Sequence, residues 1–181
     1  MALKYLISSL TILGLSACAS AAQNAAPSEL DDALGFLTGA CWNGEFSDGQ
    51  STDTQCFRPV YGGLFVRSNH LVEGALGPYG GETLFSWNDE TGRVEYTYWD
   101  TSGGISRGTM IPTDWGLQAP DETYESPDGS SVVISSRWEI LSAESWRQSV
   151  EEVSGDNRRT LWEITYTRAE LRDWPAPSSA D

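Results

Sequence analysis

The sequence predicts an all-β protein: a single antiparallel up-and-down β-barrel of about nine or ten strands with a short N-terminal helix. Apolar and polar residues alternate from Cys41 onward, as in "VVISSRWEI" at 132–140. Turn signals such as Asp48-Gly49 recur about every 8–15 residues, and no helical crossover separates the strands. Because closure hides the edge strands of so long a meander, the pattern favours a barrel.

The chain begins with the features of an export signal. Lys4 supplies a basic start, and the apolar run from Tyr5 to Leu15 has the length of a signal-peptide core. This run is shorter than the roughly 20 apolar residues that a membrane-spanning helix needs. Residues 1–17 are therefore predicted to be a signal peptide.

The end of this segment, Leu15-Ser16-Ala17-Cys18, resembles the lipobox of bacterial lipoproteins. The resemblance implies that Cys18 is lipidated and becomes the first residue of the mature chain, with the membrane as its partner through the acyl chains. Ala19 replaces the aspartate that favours inner-membrane retention, so the outer membrane, facing the periplasm, is expected. The alternative is an ordinary secretory signal, which would yield a soluble periplasmic protein.

With Cys18 assigned to lipid, Cys41 and Cys56 remain as an even pair in an oxidising compartment. A two-residue Asp48-Gly49 turn would place these cysteines directly opposite each other, with Cα atoms about 5.5 Å apart if they form a hydrogen-bonded pair. A redox pair would favour Cys-x-x-Cys at a helix start, and zinc would need more ligands than a chain with one histidine offers. A structural disulfide is the prediction.

The predicted domain covers residues 28–168, between a tether at 18–27 and a tail at 169–181. Ser28 is the expected N-cap of the short helix, and Gly39 is expected to end it. The apolar face of this helix would consist of Leu30, Ala33, Leu34 and Leu37.

The charge of the chain excludes one class of partner. Lys4 is the only lysine, so the mature chain has ten arginines against 26 acidic residues, a net charge of −16. Such a surface repels phosphate backbones, so no nucleic-acid binding is expected. The sequence does not indicate an oligomeric state.

The segment "LGFLTGACWNGEF" at 34–46 resembles the opening of lipocalin-like (calycin) barrels, closest to the small bacterial and nitrobindin-type ones. The resemblance is carried by Leu34, Leu37, Gly39, Trp42 and Gly44. It implies that Trp42 plugs the closed end of the barrel and that Arg168 lies across it, a cation–π contact. The spacing Gly-Ala-Cys-Trp is one residue longer than that family's Gly-x-Trp.

His70, the only histidine, is expected to face the barrel interior on one strand face with Leu64, Val66, Ser68 and Val72. Two interpretations remain open: it orients a ligand, or it is a hydrogen-bonded core or rim histidine. Nitrobindin-type barrels take their haem-ligating histidine from a strand near the C-terminus. Because residues 132–168 contain no histidine, neither haem nor any other cofactor is predicted, and no metal site is predicted.

The remaining expectations concern a site inside the barrel. The candidate ligand-binding residues are His70, Glu82, Tyr98, Arg107, Trp138 and Trp146. Each polar one could instead point outward, and each aromatic one could simply fill the core. No catalytic residue is predicted. The expected function is noncatalytic binding of a small apolar or amphipathic molecule. The alternatives are an envelope interaction protein with a filled barrel and a lipocalin-like isomerase or hydratase.

Overall fold

The computed structural model describes residues 28–75 and 77–174, which form one short α-helix and ten β-strands. The predicted signal peptide, Cys18 and the predicted tether lie outside the described residues, as do the last seven residues of the chain. The elements are α1 (Glu29–Leu34), β1 (Ala40–Phe46), β2 (Ser51–Val60), β3 (Phe65–Gly74), β4 (Tyr79–Asn88), β5 (Arg93–Asp100), β6 (Ile105–Thr113), β7 (Gly116–Glu125), β8 (Ser131–Ser142), β9 (Ser145–Ser154) and β10 (Asn157–Ala169).

Every strand pairs antiparallel with the next strand along the chain, and β1 pairs with β10 to close the sheet. The predicted single up-and-down barrel with a short helix is confirmed. Closure satisfies the backbone groups that the two outermost strands would otherwise leave unpaired. Within the described residues, no helix is long and apolar enough to cross a membrane.

The helix begins where the sequence predicts and ends earlier. The Asp31 backbone N–H donates to Ser28 Oγ at 3.2 Å, the expected N-cap. The helix ends at Leu34, and a turn then carries Leu37 to the same buried side. Gly39 adopts a φ of 72°, a conformation that glycine tolerates without strain, and β1 begins directly after it.

The first hairpin has the predicted register, with Cys41 opposite Cys56, and the disulfide between them is confirmed. The loop, however, comprises residues 47–50 and not two residues, since the Gly49 N–H donates to the Phe46 carbonyl at 2.9 Å. The longer loop changes which pairs exchange hydrogen bonds. The cysteine Cα atoms are 3.9 Å apart, closer than expected, as in a non-hydrogen-bonded pair.

One end of the barrel, here called the closed end, is filled by α1 and an aromatic core. Trp42 is buried there, and its indole N–H donates to the Leu37 carbonyl at 3.0 Å. Trp146 stacks on Tyr166 with ring centroids 4.2 Å apart and also meets the edge of Trp42. The guanidinium carbon of Arg168 lies 5.3 Å from the centre of the Trp42 ring, a cation–π contact.

A bulge in β7 changes which residues of that strand face inward: odd-numbered positions before it and even-numbered positions after it. Ala119 pairs with Ser136 and Glu122 pairs with Ile134, so β7 carries one more residue than β8 between these pairs. Pro120 lies in the bulge, where a residue without an N–H is tolerated. Because of the extra residue, Ala119 and Glu122 both face the interior.

Candidate functional site

The barrel contains a cavity of about 480 Å³. This volume falls within the range of about 300–1,000 Å³ typical of small-molecule sites. Along β2, Phe57 belongs to the closed-end core, and Gln55 and Asp53, the next inward-facing residues, line the cavity. Much of the wall is apolar or aromatic, including Phe46, Val72, Phe85, Tyr96, Met110, Val132, Ile134, Trp138, Val150, Leu161, Trp162 and Ile164.

A chain of hydrogen-bonded side chains runs along one wall. The Tyr166 hydroxyl donates to Asp53 Oδ2 at 2.6 Å, and Asp53 Oδ1 lies 3.2 Å from His70 Nδ1. His70 Nε2 lies 3.0 Å from the Tyr98 hydroxyl, which in turn contacts the Tyr79 hydroxyl. Five side chains from β2, β3, β4, β5 and β10 thus form one connected polar network.

The chemistry of these groups determines which atom donates and which accepts in each hydrogen bond of this network. A carboxylate only accepts, so His70 Nδ1 donates to Asp53, and in the neutral imidazole Nε2 then accepts from Tyr98. The Tyr98 oxygen accepts from Tyr79. Burial raises the pKa of Tyr79 to about 12 and raises the pKa of Tyr98 well above its usual range. Both tyrosines therefore remain neutral hydroxyls at physiological pH.

Glu122 lies on the opposite wall, because β7 is five strands away from β2 in the closed order of ten. Its Oε2 and the Tyr96 hydroxyl oxygen lie 2.4 and 2.8 Å from the point that a Cβ of residue 108 would occupy. Only glycine at 108 leaves room for the carboxyl group. Burial raises the pKa of Glu122 to about 7.

Three residues that line the cavity carry a buried side-chain oxygen without a hydrogen-bond partner in the described part of the chain. These oxygens are Gln55 Oε1, Ser106 Oγ and Glu122 Oε2. All three can accept a hydrogen bond. Buried polar atoms normally have partners, so their concentration around one cavity is unusual.

The structure brings together some of the sequence-predicted residues and separates others. His70, Tyr98 and Trp138 line the cavity. Trp146 is fully buried in the closed-end core. Gln148, which shares its strand face with Trp146, lines the cavity.

Glu82 and Arg107 lie on the outer face of the barrel. Glu82 contacts Arg67, with 3.5 Å between Oε1 and Nε, and accepts a hydrogen bond from the Asn69 amide at 3.1 Å. Arg107 is exposed. The outward orientation of these two side chains follows from the alternation along a strand, because the adjacent residues Thr83 and Ser106 face inward.

The sequence prediction missed most polar residues of the cavity, including Asp53, Gln55, Tyr79, Ser106, Glu122 and Tyr166. The inward orientation of Asp53 could have been predicted, because Asp53 shares a strand face with Phe57, a large apolar residue expected in the core. The inward orientation of Glu122 could not, since it depends on the bulge in β7.

No group of three or more metal-ligating side chains occurs within residues 28–75 and 77–174. Neither a protein-family model nor a curated protein matches this sequence.

Proposed function

We propose that this protein is a periplasm-facing lipoprotein whose barrel, lipocalin-like in its plugged end and short leading helix, binds a small apolar or amphipathic molecule without chemical conversion. The single observation that carries the binding part is the 480 Å³ cavity with apolar walls and a few polar groups directed into it. A filled barrel acting only through its outer surface would not need this volume.

The likeness to lipocalin-like barrels is supported by the closed end. Trp42 plugs this end beside α1, and Arg168 contacts the ring. The same arrangement leaves the remaining interior of the barrel unfilled. In this proposal, the closed end supplies stability and the cavity supplies binding.

Filling the cavity tests the binding proposal. Thr83 faces the cavity and is 9% exposed, whereas Thr97 lies between the inward-facing Tyr96 and Tyr98 and therefore faces outward. We expect Prodan, an uncharged fluorescent ketone, to bind the wild-type protein with a blue-shifted, enhanced emission. Thr83→Phe should weaken this binding about tenfold or more, because the added ring occupies the cavity.

Thr97→Phe is the matched control, since it adds the same ring on the neighbouring strand outside the barrel. Circular dichroism should show that both variants are folded. Prodan that does not bind the wild-type protein, or that binds Thr83→Phe as tightly as Thr97→Phe, would contradict binding in the cavity.

The envelope part of the proposal rests on the lipobox resemblance of residues 15–18. In a bacterial host, we expect the full-length protein to sediment with the outer membrane and to incorporate labelled palmitate. Cys18→Ala removes the thiol that receives the lipid, so the domain should lose the label and leave the membrane fraction. A variant that still sediments with membranes and carries label would disprove the assignment.

A further inference from the structure

The cavity has an unusual balance of charges and hydrogen-bonding groups. Its lining includes the carboxyl groups of Asp53 and Glu122, and no lysine or arginine among the described residues that form it. Asp53 already has Tyr166 and His70 as partners. Glu122 is the acidic group of the cavity whose Oε2 has no partner within the described chain.

Ser106 and Glu122 lie close together on one wall. Ser106 on β6 pairs with Tyr124 on β7, and Glu122 is the previous inward-facing residue of β7. Both contribute a buried oxygen without a partner. Gly108, two residues after Ser106, leaves the space in which the Glu122 carboxyl lies. The two strands therefore place both acceptors in the wall of the cavity, where a turn of each side chain would bring its oxygen to a ligand.

An ammonium group matches this pair of acceptors. It offers three hydrogen-bond donors and a positive charge, and a buried carboxylate without a partner gains most from such a group. The rings of Tyr96, Tyr98 and Trp138 on the surrounding wall attract a cation through their π faces. A carboxylate ligand would meet the Glu122 and Asp53 carboxyl groups without a lysine or arginine to offset them.

We propose that the ligand of this barrel is an amphipathic primary amine, with its ammonium group at Glu122 and Ser106 and its apolar part along the aromatic wall. This inference rests on the proposed binding function and specifies the ligand class of the same cavity. The polar network begins at Asp53 on β2, across the cavity from Glu122, and reaches Tyr98 on β5, which pairs with Ser106 on β6. The alkyl part lies against the apolar part of the cavity wall.

The decisive experiment displaces Prodan from the full-length wild-type protein with decylamine, decanol and decanoate, which share one chain length. We expect decylamine to displace the probe at concentrations about ten- to a hundredfold lower than decanol, as a charge-assisted hydrogen bond implies. Decanoate should be the weakest of the three. Equal potency of decylamine and decanol would overturn the amine assignment.

Two variants locate the ammonium group. Glu122→Gln keeps the size of the side chain and should make decylamine no more potent than decanol. Glu125→Gln removes an acid from the outer face of the same strand and should leave the preference for the amine unchanged. If Glu122→Gln keeps the preference, the ammonium does not bind at Glu122 and the inference is wrong.

The pH dependence provides a second readout. Because burial holds the Glu122 pKa near 7, deprotonation makes the site a better partner for a cation as the pH rises. Decylamine affinity should increase between about pH 5 and pH 8 while decanol affinity stays level. The Tyr96 hydroxyl on β5 shares the space beside Gly108 with the Glu122 carboxyl, and Tyr124 is the next inward-facing residue of β7. Ile134 pairs with Glu122 from β8, and Asp53 and His70 line the cavity on β2 and β3.

The Glu122→Gln variant should lose this trend. A trend that persists in the variant contradicts the role of Glu122. Prodan also separates the two proposals. If Prodan binds and the decyl compounds compete equally, only the amine inference fails, whereas no binding of Prodan or of any decyl compound means that the binding function itself fails.

Discussion

At the scale of single residues, the environment of Glu122 does not meet the requirements of a carboxylate. A carboxylate is stabilised by donors or by positive charge, and its Oε2 has neither kind of partner in the described part of the chain. Burial raises its pKa from 4.5 to about 7. The folded protein therefore binds this proton more tightly than the unfolded chain does, and folding is favoured while the proton is bound.

The linkage between this pKa and folding has a definite sign. Below about pH 4.5 both states are protonated and Glu122 does not disfavour folding, whereas stability falls as the pH rises through about 7. We expect Glu122→Gln to raise the free energy of unfolding at pH 8 by on the order of 3 kcal/mol and to change it little at pH 4. Urea denaturation at the two pH values measures this difference.

Glu125→Gln serves again as the control, because it removes the same charge from an exposed position and should change stability little at either pH. A Glu122→Gln variant that is no more stable than the wild-type protein at pH 8 would show that an unseen partner stabilises the carboxylate. Such a result would also weaken the case for an ammonium ligand.

Other residues of the site differ in how predictable they are. His70 faces inward because it alternates with Val66 and Ser68, a pattern that is visible in the sequence. Its partners are not visible there, since Asp53 and Tyr98 come from different strands. The contact between Asp53 and Tyr166 joins β2 to β10, which lie at opposite ends of the domain sequence and meet only because the barrel closes.

At the scale of elements, the sequence predicts the strand register of the first hairpin correctly and its loop type incorrectly. The Cys41–Cys56 pairing depends only on the sum of the paired residue numbers, which the four-residue loop leaves unchanged. The alternation of hydrogen-bonded and non-hydrogen-bonded pairs depends on the loop itself. The turn signal Asp48-Gly49 therefore predicts the pairing correctly and the Cα separation incorrectly.

The disulfide of this hairpin closes a loop of 15 residues. On the loop-entropy estimate, it contributes about 3 kcal/mol to the free energy of unfolding. We expect a reductant to lower the guanidinium midpoint of the wild-type protein correspondingly. The double variant Cys41→Ala/Cys56→Ala should begin at a lower midpoint and not respond to reductant, and an unchanged wild-type midpoint would show that the bond adds no stability.

Strand β7 shows where prediction by alternation fails. Up to Ala119 its parity follows the apolar pattern, and the bulge at Pro120 then brings Glu122 and Tyr124 to the inner face. Whether a proline in a strand causes a bulge depends on its hydrogen-bonding neighbours, which the sequence does not identify. The element that carries the proposed ammonium site was therefore the least predictable.

At the scale of the whole molecule, the division between core and cavity follows from the unequal filling of the two ends. The large aromatic residues Trp42, Trp146 and Tyr166 pack with α1 at the closed end. Around the cavity, aromatic side chains alternate with small residues such as Ser106 and Thr83, which do not fill the space. The cavity is the part of the barrel interior that the aromatic side chains leave empty.

The sequence by itself determined the features that depend on neighbours along the chain: alternating strands, turn positions, the Ser28 cap and the hairpin that joins Cys41 to Cys56. Their physics is local, since each follows from residues a few positions apart. Only the tertiary structure decided the volume of the cavity, the outward orientation of Glu82 and the inward orientation of Glu122. These depend on bulges, register and the packing of distant strands, whose energies are settled only when all ten strands close together.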